Sequence, residues 1–422
     1  MQKLIATAAL VLLAAGSAAA QNLVISNGRI VDGTGRVIER GHVIVRDGKV
    51  ASVAAGNPAR VAGARTIDAR GRTVMPGLID AHRHPIPNNV KDWMSKGGHK
   101  TDMQALLEAG FTTVLVAITS PDGLEVKKQI DSGAMPGPRL FAGAFMQNNR
   151  PAPAGRGGGG GRGGDPARTD NSRPPGRPTV AAGAIPPAET IAAVEAAAKA
   201  GFDYLKTVVT VTPNGPEVET LKLMVSEGKK RNLPTIVHAV SVIDTLAVLE
   251  AAPATLVHTP HIGHLGDDPA AVQKIAKAGI PMTSTLAVFV PHFDANNQPL
   301  FRDAQPFPWN TISSAGQGPV NARLLWEAGI SLGYGTDTTW APKDSLRDEL
   351  RALSLTFSPK DIVTMITRNA ARSTLKQDQI GTLEAGKLGD IVIIDGNPLE
   401  DAFDLLNVVT TVKGGVVVFE KK

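Results

Sequence analysis

The sequence contains no cysteine among its 422 residues. That excludes a disulfide framework, thiolate metal ligands and a cysteine nucleophile. Any metal in this chain must be held by histidine, carboxylate or modified lysine. Aromatic residues are scarce, with two Tyr and four Trp against 44 Gly, a balance that suits an α/β protein with many tight turns. Long apolar runs are lacking after the first: Leu4 to Ala15 is apolar but short for a bilayer span, and no second run of spanning length follows. Stable membrane insertion is therefore not expected. The net charge of +5 is mild and comes partly from one unusual stretch, so it points to no anionic partner, and no nucleic-acid partner is expected.

The first twenty residues read as a signal peptide. Lys3 supplies the positive end, Leu4 to Ala15 the apolar stretch and Ala18-Ala19-Ala20 the small residues before a cut at Gln21. A periplasmic or secreted mature chain is the expectation.

Residues 21–73 hold short β-rich runs, Leu23-Val24-Ile25, His42 to Val45 and Lys49 to Val53. Asn27-Gly28, Asp32-Gly33 and Asp47-Gly48 separate them as turn signals. Residues 376–422 read the same way, with strands at Asp390 to Ile394 and Val416 to Phe419. The two chain ends are expected to form one small β domain, a sandwich split by everything between them. Residues 74–375 alternate strand and helix. Eight strand candidates begin with Val74–Asp80 and end with Ile330–Gly335, which favours a closed (β/α)₈ TIM-like barrel, with an open doubly wound sheet as the alternative. Gln147–Arg177 breaks the pattern. It is rich in Gly, Pro and Arg, cannot bury enough apolar surface to fold alone, and reads as a flexible insert.

The sharpest signal is Pro76-Gly77-Leu78-Ile79-Asp80-Ala81-His82-Arg83-His84, an apolar strand ending in His-x-His. In a strand, side chains two apart point the same way, so both imidazoles can reach one metal. His238 closes Thr235-Ile236-Val237, and His258 closes Thr255-Leu256-Val257. Both fall at strand ends, where a barrel presents functional side chains. His261 is the alternative to His258 if that strand ends later. His264 and His292 read as loop residues. Asp337 follows the small-residue run Gly333-Tyr334-Gly335-Thr336.

The Pro-Gly-Leu-Ile-Asp-x-His-x-His string resembles the opening metal motif of the amidohydrolase superfamily. The tail Gly381-Thr382-Leu383-Glu384-Ala385-Gly386-Lys387-Leu388-Gly389-Asp390 resembles that family's return into its β domain. The likeness runs over the whole mature chain apart from Gln147–Arg177, and is nearest to exported prolidase-like and imidazolonepropionase-related members. It implies that Lys206, closing Phe202-Asp203-Tyr204-Leu205, is carboxylated by CO₂ and bridges two divalent ions. His82, His84 and Asp337 would hold one ion, and His238 and His258 the other. Nitrogen and oxygen ligands favour zinc. A bridging hydroxide would attack a carbonyl, with Asp337 as general acid/base, cleaving a C–N bond of a small amide or dipeptide-like substrate. An esterase or lactonase on the same site, a mononuclear enzyme and a noncatalytic metal-containing binding protein are the competing readings. Two positions depart from the family pattern. Arg83 stands where a small or apolar residue is usual, and Val240 where prolidase-like members carry a second histidine. Arg83, His261, His264 and His292 are candidate substrate contacts, Arg83 through a substrate carboxylate. A homo-oligomer is compatible with all of this.

Overall fold

The structure is a computed structural model that describes residues 22–150, 181–289 and 312–421. The leader segment 1–20, nearly all of the insert 147–177, and His292 lie outside the described residues. None of the described helices is long and apolar enough to cross a membrane.

Two eight-stranded sheets divide the chain. The first takes β1 (Leu23–Val31), β2 (Val37–Arg46), β3 (Lys49–Ala55), β4 (Arg65–Asp68) and β5 (Thr73–Pro76) from the front of the chain. The second takes β6 (Leu78–Arg83), β7 (Phe111–Val116), β8 (Arg139–Phe145), β9 (Tyr204–Val208), β10 (Thr235–His238), β11 (Thr255–Val257), β12 (Met282–Thr283) and β13 (Leu332–Gly333). The back of the chain returns β14 (Ile391–Ile394), β15 (Val408–Lys413) and β16 (Val416–Glu420) to the first sheet. There β14 lies antiparallel to β5, with Ile393 opposite Val74, and the order runs β16-β15-β14-β5-β1-β2-β3. The sheet curls until β3 meets the 386–389 segment, where Val50 N donates to Lys387 O. Inside the curl, Ile25, Val43, Val45, Val74, Ile391 and Val412 form a core of their own.

Strands β6 to β13 are parallel and ordered as in the sequence. Ala81 N donates to Tyr334 O and Thr336 N to His82 O, so the first strand meets the last and the sheet becomes a barrel. Helices follow the strands on the outside, and their ends match the local sequence. Ser241 Oγ accepts from Asp244 N at the start of Val242–Val248, Asp268 caps a helix whose first residue is Pro269, and Gly201 at φ 87° ends Pro187–Ala200. Within the barrel, the two-residue period stacks side chains in layers. Leu115, Phe141, Tyr204, Ile236 and Val257 make one layer. Two residues on, Lys206 and His238 come a layer higher, toward the C-terminal mouth. At the opposite end, the Tyr204 hydroxyl donates to Thr374 O.

Two sequence expectations change. Val74–Asp80 is not one strand: Thr73–Pro76 belongs to the curled sheet and Leu78–Arg83 to the barrel, with Gly77 between them. A Cβ at Gly77 would overlap Thr112, so this junction needs glycine. Asn27-Gly28 is not a hairpin turn either. It is an irregularity inside β1, where Asn27 takes φ 53° and the register with β2 shifts. Asp47-Gly48 does make the two-residue β2–β3 turn, with φ of 49° and 76°.

Candidate metal centre at the barrel mouth

Side chains converge where the parallel strands end. His82 Nε2 lies 3.2 Å and His84 Nε2 2.9 Å from Asp337 Oδ1. His258 Nε2 is 3.7 Å from Asp337 Oδ2 and 2.7 Å from His238 Nδ1. The His82 and His258 rings are 5.6 Å apart at their centroids, and those of His238 and His258 4.3 Å. Lys206 pairs in register with Ile236 on one side and Phe145 on the other, and is buried. The six residues expected at the centre therefore meet at one end of the barrel.

Backbone conformation places two of them. His258 (φ 74°) and Asp337 (φ 52°) are both left-handed, a region that L-residues seldom adopt but that Asp and His enter more readily than most. The turn at His258 ends β11 one residue earlier than the sequence suggests. Asp337 is held by its own N–H, which donates to His82 O at 2.7 Å.

Electrostatics leave His82, His238 and His258 neutral. Burial, with the Lys206 charge second, pushes His82 and His238 down to about 3. Burial and His238 take His258 well below the usual imidazole range. For Asp337, burial works to raise the carboxyl, but His82 and His84 outweigh it and hold it well below the usual carboxylate value. Neutral imidazoles beside an ionised carboxylate are the protonation state that binds a divalent cation.

Thr285 decides the tautomer of His258. Its hydroxyl donates to Ser284 O at 2.8 Å, so its lone pair accepts the His258 Nδ1–H at 2.5 Å. The lone pair of His258 Nε2 then faces His238 Nδ1. Two ring nitrogens 2.7 Å apart need a proton or a cation between them. The Ser284–Ala287 loop that carries Thr285 is itself held by fully buried Glu349, which accepts from Ser284 Oγ, Leu286 N and Ala287 N at 2.6, 2.9 and 2.7 Å.

The secondary candidates separate. His261 is not at the ligand position. It is buried, stacked on Phe289 at 3.8 Å, and pressed on its Nδ1 side against Gly318, where a Cβ would overlap the ring. Phe289 also lies edge-on to His258 at 5.3 Å, so this ring forms a wall of the centre. His264 is exposed and bonds Gln317, away from the cluster. Arg83 is 2% exposed and donates to Thr336 Oγ1 and Trp340 O beside Asp80. It is committed inside the protein, which removes it as a contact for a substrate carboxylate. Asp80, Thr336, Thr285, Phe289 and Glu349 have roles that the sequence reading did not assign. Only Asp80, a charged residue inside an apolar strand, gave any signal.

The donor set suits a metal. His82, His84 and Asp337 each offer one ligand atom, and these atoms all lie within 4.8 Å of one another. Imidazole nitrogen and carboxylate oxygen at that spacing can surround a zinc-sized ion at about 2.0–2.2 Å. A (β/α)₈ barrel with a curled β domain from both termini and a His-His-Asp group at its mouth has the frame of a metal-dependent hydrolase. The amidohydrolase family model matches residues 73–418, and the chain belongs to that family. It is 25% identical to the imidazolonepropionase of Shouchella clausii, over 91% of this chain and 86% of that protein. It is 26% identical to the s-triazine hydrolase of Gordonia rubripertincta, over 88% and 82%. Among solved structures, a Xaa-Pro dipeptidase with bound methionine superposes with TM-score 0.74 at 22% identity, covering 94% of this chain and 99% of that one. The A. niger ochratoxinase superposes at 0.70 with 20% identity, covering 95% and 96%. The family hydrolyses C–N bonds, and it is typically metal-dependent.

Proposed function

We propose that this chain hydrolyses the carbon–nitrogen bond of a small amide, cyclic or dipeptide-like, at a centre made by His82, His84, Lys206, His238, His258 and Asp337. The convergence of these six residues from β6, β9, β10 and the ends of β11 and β13 supports the reading most. His82, His84 and Asp337 would hold one divalent ion, zinc by the chemistry of the donors. His238 and His258 would hold a second, with Lys206 joining the two as its carbamate. Bound cations supply Lewis acidity toward a carbonyl and make water a competent nucleophile at neutral pH.

The chain's own groups handle the proton. Asp337 Oδ1 is engaged by His82 and His84 at 3.2 and 2.9 Å, whereas Oδ2, among the described residues, has the more distant His258 at 3.7 Å. Oδ2 therefore takes the proton from the attacking water and returns it to the leaving nitrogen. Half-exposed His84 marks the open side of the centre, and Phe289 closes the side beside His258. A buried lysine ammonium would oppose two neighbouring cations, whereas a carbamate supplies negative charge to both. The leader read in the first twenty residues carries the accompanying proposal that the mature protein works outside the cytoplasm.

The test is a hydrolysis screen of zinc-loaded protein on dipeptides, N-acyl amino acids, cyclic amides and lactones. Asp337→Asn should bind metal and lose at least about 1000-fold in kcat. Lactone turnover without amide turnover would move the reading to an esterase. No turnover of any of these, with Asp337→Asn indistinguishable from the wild type, would leave a binding protein.

A further inference from the structure

Behind the His-x-His pair lies a buried ionic cluster that the chemistry above does not use. Asp80 is 0% and Arg83 2% exposed, and Arg83 Nη1 lies 3.4 Å from Asp80 Oδ2. The same Nη1 donates to Thr336 Oγ1 at 3.1 Å, and Nη2 donates to Trp340 O. Thr336 Oγ1 donates to Asp80 Oδ2 at 2.7 Å, while Asp80 Oδ1 accepts from both His82 N and Thr336 N at 3.2 Å. Every bond in this set spans, or braces, the same two pieces of backbone. One piece is the end of β6, which carries His82 and His84. The other is the 336–340 segment, which carries Asp337.

Backbone hydrogen bonds join the same two pieces, and the side-chain cluster braces them from behind. They are joined by Thr336 N and Asp337 N to His82 O and by His84 N to Thr338 O at 3.2 Å. Asp337 itself sits in a left-handed conformation at φ 52°, and its N–H is fixed to His82 O. A guanidinium suits the task. It is planar, always charged, and donates in fixed directions to several acceptors at once.

We propose that Arg83, with Asp80 and Thr336, is a positioning cluster that sets the distance between the His82/His84 strand and Asp337, and so tunes the affinity of the metal centre. It acts through the ligands and touches neither substrate nor metal. The proposal rests on the reading that His82, His84 and Asp337 hold a cation.

The test uses metal alone, with full-length protein. Zinc affinity is measured by competition with a chromophoric chelator, and the visible spectrum is recorded for the Co²⁺-loaded form. Arg83→Met should weaken zinc 10- to 100-fold and change the Co²⁺ band pattern. Arg83→Lys, which keeps the charge but loses the fork, should recover part of the loss. Thr336→Val matches the side-chain volume, so it keeps the test valid should Arg83→Met not fold; it should weaken zinc about 10-fold. Zinc affinities within twofold of wild type and an unchanged Co²⁺ spectrum in a folded Arg83→Met or Thr336→Val protein would overturn the positioning role while leaving the metal centre intact. Failure of the wild type to bind zinc or cobalt would instead sink the metal reading, and this proposal with it. A raised KM with unaltered metal binding would return Arg83 to substrate recognition.

Discussion

Replacing Glu349 by Gln should give a protein that gains stability on the wild type as pH rises from 5 to 8, although it removes a core carboxylate with three hydrogen bonds. Glu349 is fully buried, and burial pushes it from its ordinary 4.5 up to about 7, against the opposing pull of Ser284, Ala287 and Leu286. A carboxyl raised on folding favours the protonated folded state. Its stabilising share is complete below pH 4.5 and disappears as pH rises through 7. The span from 4.5 to about 7 corresponds to about 3 kcal/mol, at roughly 1.4 kcal/mol per pH unit. Most of that, about 2–3 kcal/mol, falls between pH 5 and pH 8. With its amide nitrogen beside Ser284 Oγ, glutamine donates to that hydroxyl and keeps its oxygen for Ala287 N, but Leu286 N loses its acceptor, which costs about 1–3 kcal/mol at every pH. Glu349→Gln should therefore start about 1–3 kcal/mol below the wild type at pH 5 and gain about 2–3 kcal/mol on it between pH 5 and pH 8. Urea unfolding of both proteins in parallel at each pH gives the quantity needed, because contributions common to the two, including those of the metal ligands, cancel in the difference. A variant that loses ground to the wild type as pH rises would mean that Glu349 is ionised throughout, and the reasoning would fail.

Thr285→Val removes the acceptor for His258 Nδ1–H and frees the tautomer, so zinc affinity should fall 10- to 100-fold in chelator competition with little change in Tm. Gly318→Ala would drive a methyl into the His261 ring and disturb its stack on Phe289; about 1–3 kcal/mol of stability should be lost, and an unchanged unfolding midpoint would show that the ring has room to move. Tyr204→Phe leaves Thr374 O without its donor at the far end of the barrel, so it should cost about 1–3 kcal/mol while kcat and KM on any substrate found in the screen stay at wild-type values.

What the sequence made legible was whatever a two-residue or helical period encodes. Thr235–His238 begins and ends as its pattern suggests, because an apolar run closed by His is a local signal. His82 and His84 stood out as His-x-His at a strand end, and His238, His258 and Asp337 as residues closing an apolar or small-residue run, whereas Lys206, inside β9, was read from the family resemblance. Contacts made by loops were not readable. Thr285 and Phe289 follow β12, which is two residues long, and their positions depend on Glu349 and on a left-handed φ of 47° at Thr285. Arg83 was misjudged because alternation along a strand tells which way a side chain points, not whether Asp80 and Thr336 await it there. Asn27-Gly28 was misjudged because a bulge and a hairpin turn make the same demand for positive φ. Val74–Asp80 looked continuous because both sheets bury their strands, and Gly77 was its single punctuation mark.

That glycine ties the chemistry to the chain's far end. Gly77 N donates to Asp390 O, and the four residues before it are clasped by Ile391–Ile394. The strand that offers His82 and His84 is thus moored, across one residue, to a segment more than 300 positions downstream. A cut or deletion near residue 390 would reach the candidate metal centre without touching any residue there, so the closing strands behave as the tether of the histidine strand rather than as a detachable appendix.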